Sequence, residues 1–371
     1  LTFSVDKEVI SSALNLVSSC ITSVKTQPIL HCVMLEGSGL SVKATTTDLD
    51  MIVSTEFLSV VEQDFKVCVP YKQLLSLVKL LSKDEVSFEL GDSVLIVKSG
   101  RSRHKLPLYR VEEFPQPEVA TVKYATLPAK LLKEMMSCGH IAAAKDNSGA
   151  WMLTCVSVKT KENNLAIRSS DGHQVALAST PVTVLKEMEC LVPISAVTAI
   201  LKVADCGGEA VIAGSENDFS VTTERGFIST RLMAGKFPNV EMIIPSQYDK
   251  RFQVKVKDFI LLCKRAALSS GPKGDVWCTF SHNTVLVQSQ DPIKGESEES
   301  MVLTGSEEST EPVEIGLRCD HVEHGLSRFD GDVSIEVKDK VPVRFSPLEA
   351  DFDFQYLTVP LRKVNVQAKS A

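Results

Sequence analysis

Residues 168–179 read RSSDGHQVALAS. A polar turn at Asp171-Gly172 stands between one apolar run and an alternating run through Val175 and Leu177. Asp-Gly in that setting is a strong short-range hairpin signal. Residues 45–54, TTTDLDMIVS, repeat the pattern, with a polar turn around an Asp leading into an apolar run. A third version is read at 289–304, SQDPIKGESEESMVLT, with an acidic insert in place of the tight turn.

The flanks of these turns repeat as well. Amphipathic helix patterns open each segment, at residues 5–20, 128–144 and 256–268; in the second, Leu131, Leu132, Met135 and Met136 share a face. Farther on, an apolar strand runs into a second helix: VCVPYKQLLSLVKLL from Val67, CLVPISAVTAILKVA from Cys190 and IGLRCDHVEHGLSRF from Ile315. Pro70 and Pro193 mark the helix starts, with Leu317 as the third match. Strand-rich stretches follow at 85–108, 209–233 and 332–361, and the first two end in the exits EEFPQPE and GKFPNVE. A repeat of this length, far above the ~20–50 residues of solenoids, predicts three homologous α+β domains with two helices packed on sheets in each. The boundaries fall at 1–122, 123–248 and 249–362, and residues 363–371 form an extension.

The 371 residues suffice for several buried cores, and 44% apolar with 23% charged residues is ordinary for a globular chain. No apolar run approaches the ~20 residues of a membrane helix, and the start carries no signal-peptide pattern. A cytoplasmic location is therefore expected. The ten cysteines are scattered without a C-x-x-C pair, which argues against zinc. Cys20, Cys32, Cys68, Cys155 and Cys263 read as buried thiols in a reducing compartment. No cofactor is expected.

Charge is distributed unevenly. The chain carries −7, yet windows 6–22, 71–83, 128–144, 193–204, 255–270 and 318–329 together carry +7. Lys72, Lys79, Lys83, Lys130, Lys133, Lys202, Lys257, Lys264 and Arg265 are candidates for one basic helical face. With two Trp and five Tyr the chain is poorly supplied for base stacking. Scattered cations favour sequence-independent contact with duplex phosphate.

The motifs KTQPIL from Lys25, TDLDM from Thr47, GRSR from Gly100, EFPQPE from Glu113, SDGHQVALAS from Ser170, GFISTRLMAGKFPNVEMIIP from Gly226 and VPLR from Val359 together resemble the bacterial DNA polymerase III beta subunit family, the sliding clamps. The resemblance spans essentially residues 1–362. It implies the DNA-clamp fold in a head-to-tail homodimeric ring that encircles duplex DNA. Such a ring is a processivity factor for DNA replication and repair, holding the replicative polymerase, the clamp loader and other clients by linear peptide motifs. It implies a bacterial, nucleoid-associated protein, and adds Lys25 to the DNA-facing set. It also implies a dimer seam between Arg101, Arg103, Lys105 and Leu106 of a first-domain strand and Leu268, Glu296, Glu298 and Glu299 of the third domain. Basic against acidic favours head-to-tail pairing.

The family's client-peptide pocket falls here on Leu153, Ser170, Gly172, His173, Gln174 and Val175, on Pro238, Met242 and Ile243, on Val341 and Val343, and on Val359, Pro360, Leu361 and Arg362. Leu153, Val175, Pro238, Ile243, Val343 and Leu361 would form an apolar slot for a leucine and an aromatic, with His173 and Arg362 as polar handles. Gln174 and Met242 stand where the family has basic residues, and Val359 and Leu361 where it has methionines. These departures imply a different peptide preference.

An enzyme is disfavoured. Ser170, Asp171 and His173 are near neighbours in sequence, whereas a triad is assembled from separated segments. No nucleotide loop, metalloprotease motif or nucleophile elbow is present. The alternative reading is a three-domain protein-interaction scaffold that does not encircle DNA, which would share the fold and pocket without the basic face or the dimer.

Overall fold

The computed structural model describes residues 2–21, 27–116, 122–145, 150–306, 311–329 and 331–362. Lys25 and the extension 363–371 lie outside the described residues. Within them the predicted order is found three times: a strand feeds a helix, strands follow, then a second strand feeds a second helix. The first helices are α1 (Lys7–Val17), α3 (Ala129–Gly139) and α5 (Val256–Ala267), entered from Thr2–Asp6, Val122–Pro128 and Lys250–Lys255. The second are α2 (Tyr71–Leu80), α4 (Ile194–Val203) and α6 (Cys319–Leu326), entered from Phe65–Pro70, Met188–Pro193 and Val313–Arg318.

Each helix forms because its apolar residues recur at helical spacing. In α2 Tyr71, Leu74 and Val78 are buried; in α5 the buried set is Val256, Phe259, Leu262, Cys263 and Ala266. Pro70 and Pro193 sit one residue earlier than expected, as the N-caps that close the entering strands. The third N-cap is Arg318, so Arg318 rather than Leu317 is their counterpart.

The chain forms two compact units, one of residues 1–134, 160–163 and 182–234, the other of 135–159, 164–181 and 235–371. In the first, a four-stranded sheet runs Thr2–Asp6, Glu85–Leu90, Val94–Ser99, Ser102–Pro107. A nine-stranded sheet joins strands of the first and second repeats by pairing Phe227–Arg231 with Met51–Leu58. Helix α1 packs on α2 and α4. In the second unit, a four-stranded sheet runs Gly295–Val302, Thr284–Asp291, Asp275–Phe280, Val313–Arg318. A larger sheet pairs Gln174–Pro181 with Asp353–Thr358, and α5 packs on α6. The buried Glu336 carboxylate is held by both Arg251 and Arg344.

The three Asp-centred turns share one hydrogen-bonding pattern. Asp171 Oδ1 accepts the amides of His173 (2.8 Å) and Gln174 (2.7 Å), and Gly172 sits at φ +89°. Asp48 Oδ1 accepts those of Asp50 (3.2 Å) and Met51 (2.7 Å), and Leu49 takes φ +83°. Asp291 Oδ1 accepts those of Ile293 (2.9 Å) and Lys294 (3.0 Å). A side chain that satisfies two turn amides fixes the reversal locally. The third turn is thus tight after all, and its acidic residues belong to the strand Gly295–Val302.

Helix α6 meets the sheet through a residue without a side chain. A Cβ on Gly325 would lie 2.1 Å from Cε1 of the fully buried Tyr356. Gly325→Ala is therefore expected to lower stability by about 1–3 kcal/mol, the usual cost of overpacking, in spite of alanine's higher helix propensity. Urea unfolding with an unchanged m-value is the measurement.

Candidate functional site

The hairpin turn 171–174 and the segment 359–362 come together in the second unit. The amide of Val359 donates to the His173 carbonyl at 3.0 Å, and that of Leu361 to the Gly316 carbonyl at 2.8 Å. Gly316 is required there, since a Cβ would meet the Leu361 Cβ and the Trp277 ring at 2.8 Å. The segment is thereby pinned between turn and strand, with one cavity beside the turn and another along the segment. A cavity of about 770 Å3 is lined by Leu153, Asp171, His173 and Gln174 together with Arg318, His321 and His324 at and along α6. The other, about 530 Å3, is lined by Val359, Pro360, Leu361 and Arg362 with Trp277, Val313 and Ile315.

Of the predicted pocket residues, seven therefore line these two cavities. Ser170, Val175 and Val343 are buried; the Ser170 hydroxyl donates to the Gln174 carbonyl at 2.8 Å and so holds the turn. Gly172 and Pro238 are exposed, and Val341 is half-buried. Met242 and Ile243 stand on a separate 3-10 turn, Val240–Ile243, exposed by 81% and 47%.

Gln174 behaves unlike a surface handle. It is buried, its Nε2 donates to Asp171 Oδ2 at 2.7 Å, and its Oε1 accepts from the Tyr356 hydroxyl. That hydroxyl also reaches the His321 carbonyl at 2.9 Å, and His321 Nδ1 lies 3.0 Å from Thr358 Oγ1. A buried polar network of this kind fixes side-chain positions, the single Tyr356 proton being shared between the Gln174 and His321 oxygens. Sequence reading missed Tyr356, His321 and Arg318. The only signal for the histidine was the spacing of HxxH on α6 opposite its apolar face. Burial pushes His321 below the usual imidazole pKa; Asp320 and Asp171 oppose this, and Arg318 and His173 add to it. His140 and His324 are lowered by burial too. Among the described residues no cluster of His, Cys, Asp or Glu is placed to hold a metal ion. No described helix is long and apolar enough to cross a membrane. Cys20, Cys32, Cys68, Cys155 and Cys263 are buried, and burial pushes the first three thiols up to about 12.

The basic helical residues differ in exposure and in the carboxylates they face. Lys72, Lys79 and Lys83 are exposed on and after α2, as are Lys130 on α3 and Lys257 on α5. Lys130 stands 3.8 Å from Glu134. Lys133 pairs with Asp205, Lys264 with Glu323 (2.8 Å) and Arg265 with Glu299 (2.8 Å). Lys202 departs from the sequence expectation. Its Nζ donates to Ser18 Oγ (2.6 Å) and the Asn15 carbonyl (3.2 Å), and burial lowers its pKa, so it fastens the end of α1.

The proposed seam residues lie on two sheet edges. Arg103 and Lys105 are exposed on Ser102–Pro107, the outermost strand of its sheet. Arg101 is in the turn before that strand, and Leu106 is buried within its own unit. Glu296 and Glu298 are exposed on the edge strand Gly295–Val302; Glu299 points toward α5 and Arg265, and Leu268 ends α5 at 76% exposure.

This fold is the sliding-clamp fold. A Pseudomonas aeruginosa sliding clamp solved with griselimycin superimposes with a TM-score of 0.89 over 97% of this chain and 99% of its own, at 21% identity. A Bacillus subtilis DNA polymerase sliding clamp gives 0.87 over 98% and 99%, at 20% identity. Among curated proteins, the beta sliding clamp of Synechocystis is 26% identical, covering 96% of this chain and 98% of its own length. That of Escherichia coli is 24% identical over 90% and 95%. The profiles of the DNA polymerase III beta subunit match here, the N-terminal domain at residues 1–118 and the central domain at 126–239. The chain belongs to the DNA polymerase III beta subunit family, whose members are non-catalytic processivity factors of DNA replication.

Two outcomes are expected. Replacing Tyr356 by Phe strands buried acceptors and costs about 1–3 kcal/mol in chemical denaturation. For the histidines, a folded pKa below the unfolded value means that the unfolded chain binds more protons between the two. Their contribution is present above the unfolded value of about 6.5 and is lost as pH falls through the folded pKa. Urea unfolding from pH 7.5 to 5.5 should show declining stability, with a shallower slope in His321→Asn. A slope identical to wild type would exclude His321 as its source.

Proposed function

We propose that two copies of this chain, each a row of three repeat domains, close head to tail around duplex DNA and hold polymerase and other clients at the site built on residues 171–174 and 359–362. The observation that carries the dimer is charge on two open sheet edges. One four-stranded sheet ends in Arg103 and Lys105, the other in Glu296 and Glu298. Joining such edges between copies satisfies their backbone groups, and the opposite charges select head-to-tail over head-to-head. Leu268 supplies an exposed apolar contact beside the acidic edge.

DNA is held by enclosure. Lys72, Lys79, Lys83, Lys130 and Lys257 offer dispersed cations that meet phosphate without reading bases, which permits sliding. Lys264 and Arg265 sit in exposed ion pairs that are weak in water and can exchange carboxylate for phosphate. Bacterial cytoplasm follows from this reading.

Clients enter as short peptides with a leucine and an aromatic residue. Leu153, Val359, Pro360 and Leu361 offer the apolar surface, and His173 and Arg362 the polar edge. Gln174 is neutral and held in its network, so it supplies neither the charge nor the mobility of the basic residue that the family resemblance implies at this position. A preference distinct from theirs follows.

Arg101→Glu with Arg103→Glu should weaken the dimer in sedimentation, and adding Glu296→Lys with Glu298→Lys should restore it. Unchanged dimerisation in the first mutant would show the seam to be misplaced. Wild type loaded on closed circular DNA should be retained in salt and lost once the circle is cut. Val359→Asp should abolish peptide binding without affecting the dimer.

A further inference from the structure

Arg168 is a buried cation that the client reading leaves unused. It lies in mid-strand within Asn164–Ser170, with its side chain only 6% exposed. A guanidinium withdrawn from water must be paired. Nη1 donates to Glu241 Oε1 at 2.6 Å and Nη2 to the buried Ser157 Oγ at 2.8 Å, while the group stands 5.7 Å from the centroid of the Phe237 ring. Glu241 is half exposed and belongs to the 3-10 turn Val240–Ile243. The turn's backbone bonds are local, Val240 N–H to the Pro238 carbonyl and Ile244 N–H to the Glu241 carbonyl. Directly after Glu241 come Met242 and Ile243, the exposed apolar tip.

We infer that Arg168, acting through Glu241, is a positioning residue that sets where Met242 and Ile243, two of the positions at which the family resemblance puts the client peptide, are presented. This rests on the client-binding reading above. The forked group grips the sheet at Ser157 with one nitrogen and the turn at Glu241 with the other, a span that lysine's single ammonium does not make. A tip fixed before binding spares the peptide the entropy of ordering it, and methionine still adapts its shape to the side chain it meets.

The test is a double-mutant cycle read by fluorescence polarisation of a labelled synthetic peptide carrying adjacent Leu and Phe. Glu241→Ala is expected to weaken binding about tenfold, a size in keeping with groups that act through one contact. In a background carrying both Met242→Ala and Ile243→Ala the same change should add nothing, because both side chains it positions are gone. Glu241→Gln, which keeps an acceptor for the guanidinium, should restore most of the affinity. Arg168→Lys, which keeps the buried charge, should behave like Glu241→Ala and serves if the alanine variant does not fold. The inference is overturned if Glu241→Ala binds as wild type, or if its loss multiplies with that of the Met242→Ala, Ile243→Ala pair. Val359→Asp separates the two readings. If it abolishes binding while Glu241→Ala does not, only the positioning role is lost; if neither matters, the client site falls as well.

Discussion

A carboxylate folded back onto two amides of its own turn is the contact on which this architecture depends. Asp48, Asp171 and Asp291 each make it. It is local, so it forms without help from the rest of the chain, and it fixes the register of the strands on either side. At Asp171 it does more. Its second oxygen holds Gln174, Gln174 holds Tyr356, and the carbonyl of His173 in the same turn receives Val359. One turn of the second repeat thus places the final strand of the third.

Much of this was legible in the sequence because it is local or periodic. The Asp-Gly turn, the apolar stripes of α2 and α5 and the repeated strand-to-helix junctions are all written in neighbouring residues. What was not legible depends on pairing at a distance. Nothing near Gln174 announces Tyr356, 182 residues away. Nothing near Lys202 announces Ser18, which turns an apparent surface cation into a fastener of α1. The acidic run 296–299 read as an insert because its composition is unlike a strand; pairing with Thr284–Asp291 overrides that preference. The polar cavity beside α6 was missed for the same reason: Arg318, His321 and His324 acquire meaning only when the turn 171–174 is brought against them. The pocket positions came from family resemblance rather than from the residues themselves, and the buried ones, Val175 and Val343, are core side chains.

The cations repay the same distinction. Those of α2 stand in solvent, whereas Lys133, Lys264 and Arg265 each face a carboxylate. An exposed pair contributes little to stability, so such residues keep most of their capacity to meet a polyanion. Bare and loosely masked cations alike grip phosphate weakly at any single point, which suits a processivity factor.

The pairing of Phe227–Arg231 with Met51–Leu58 has a further implication. A hydrogen-bonded ladder is stitched across the joint between the first and second repeats. Cutting the chain there would bare two long strand margins, each ready to capture a stray neighbour. The first repeat therefore shares its sheet with the second, and expressed alone it would carry an open strand margin prone to aggregation.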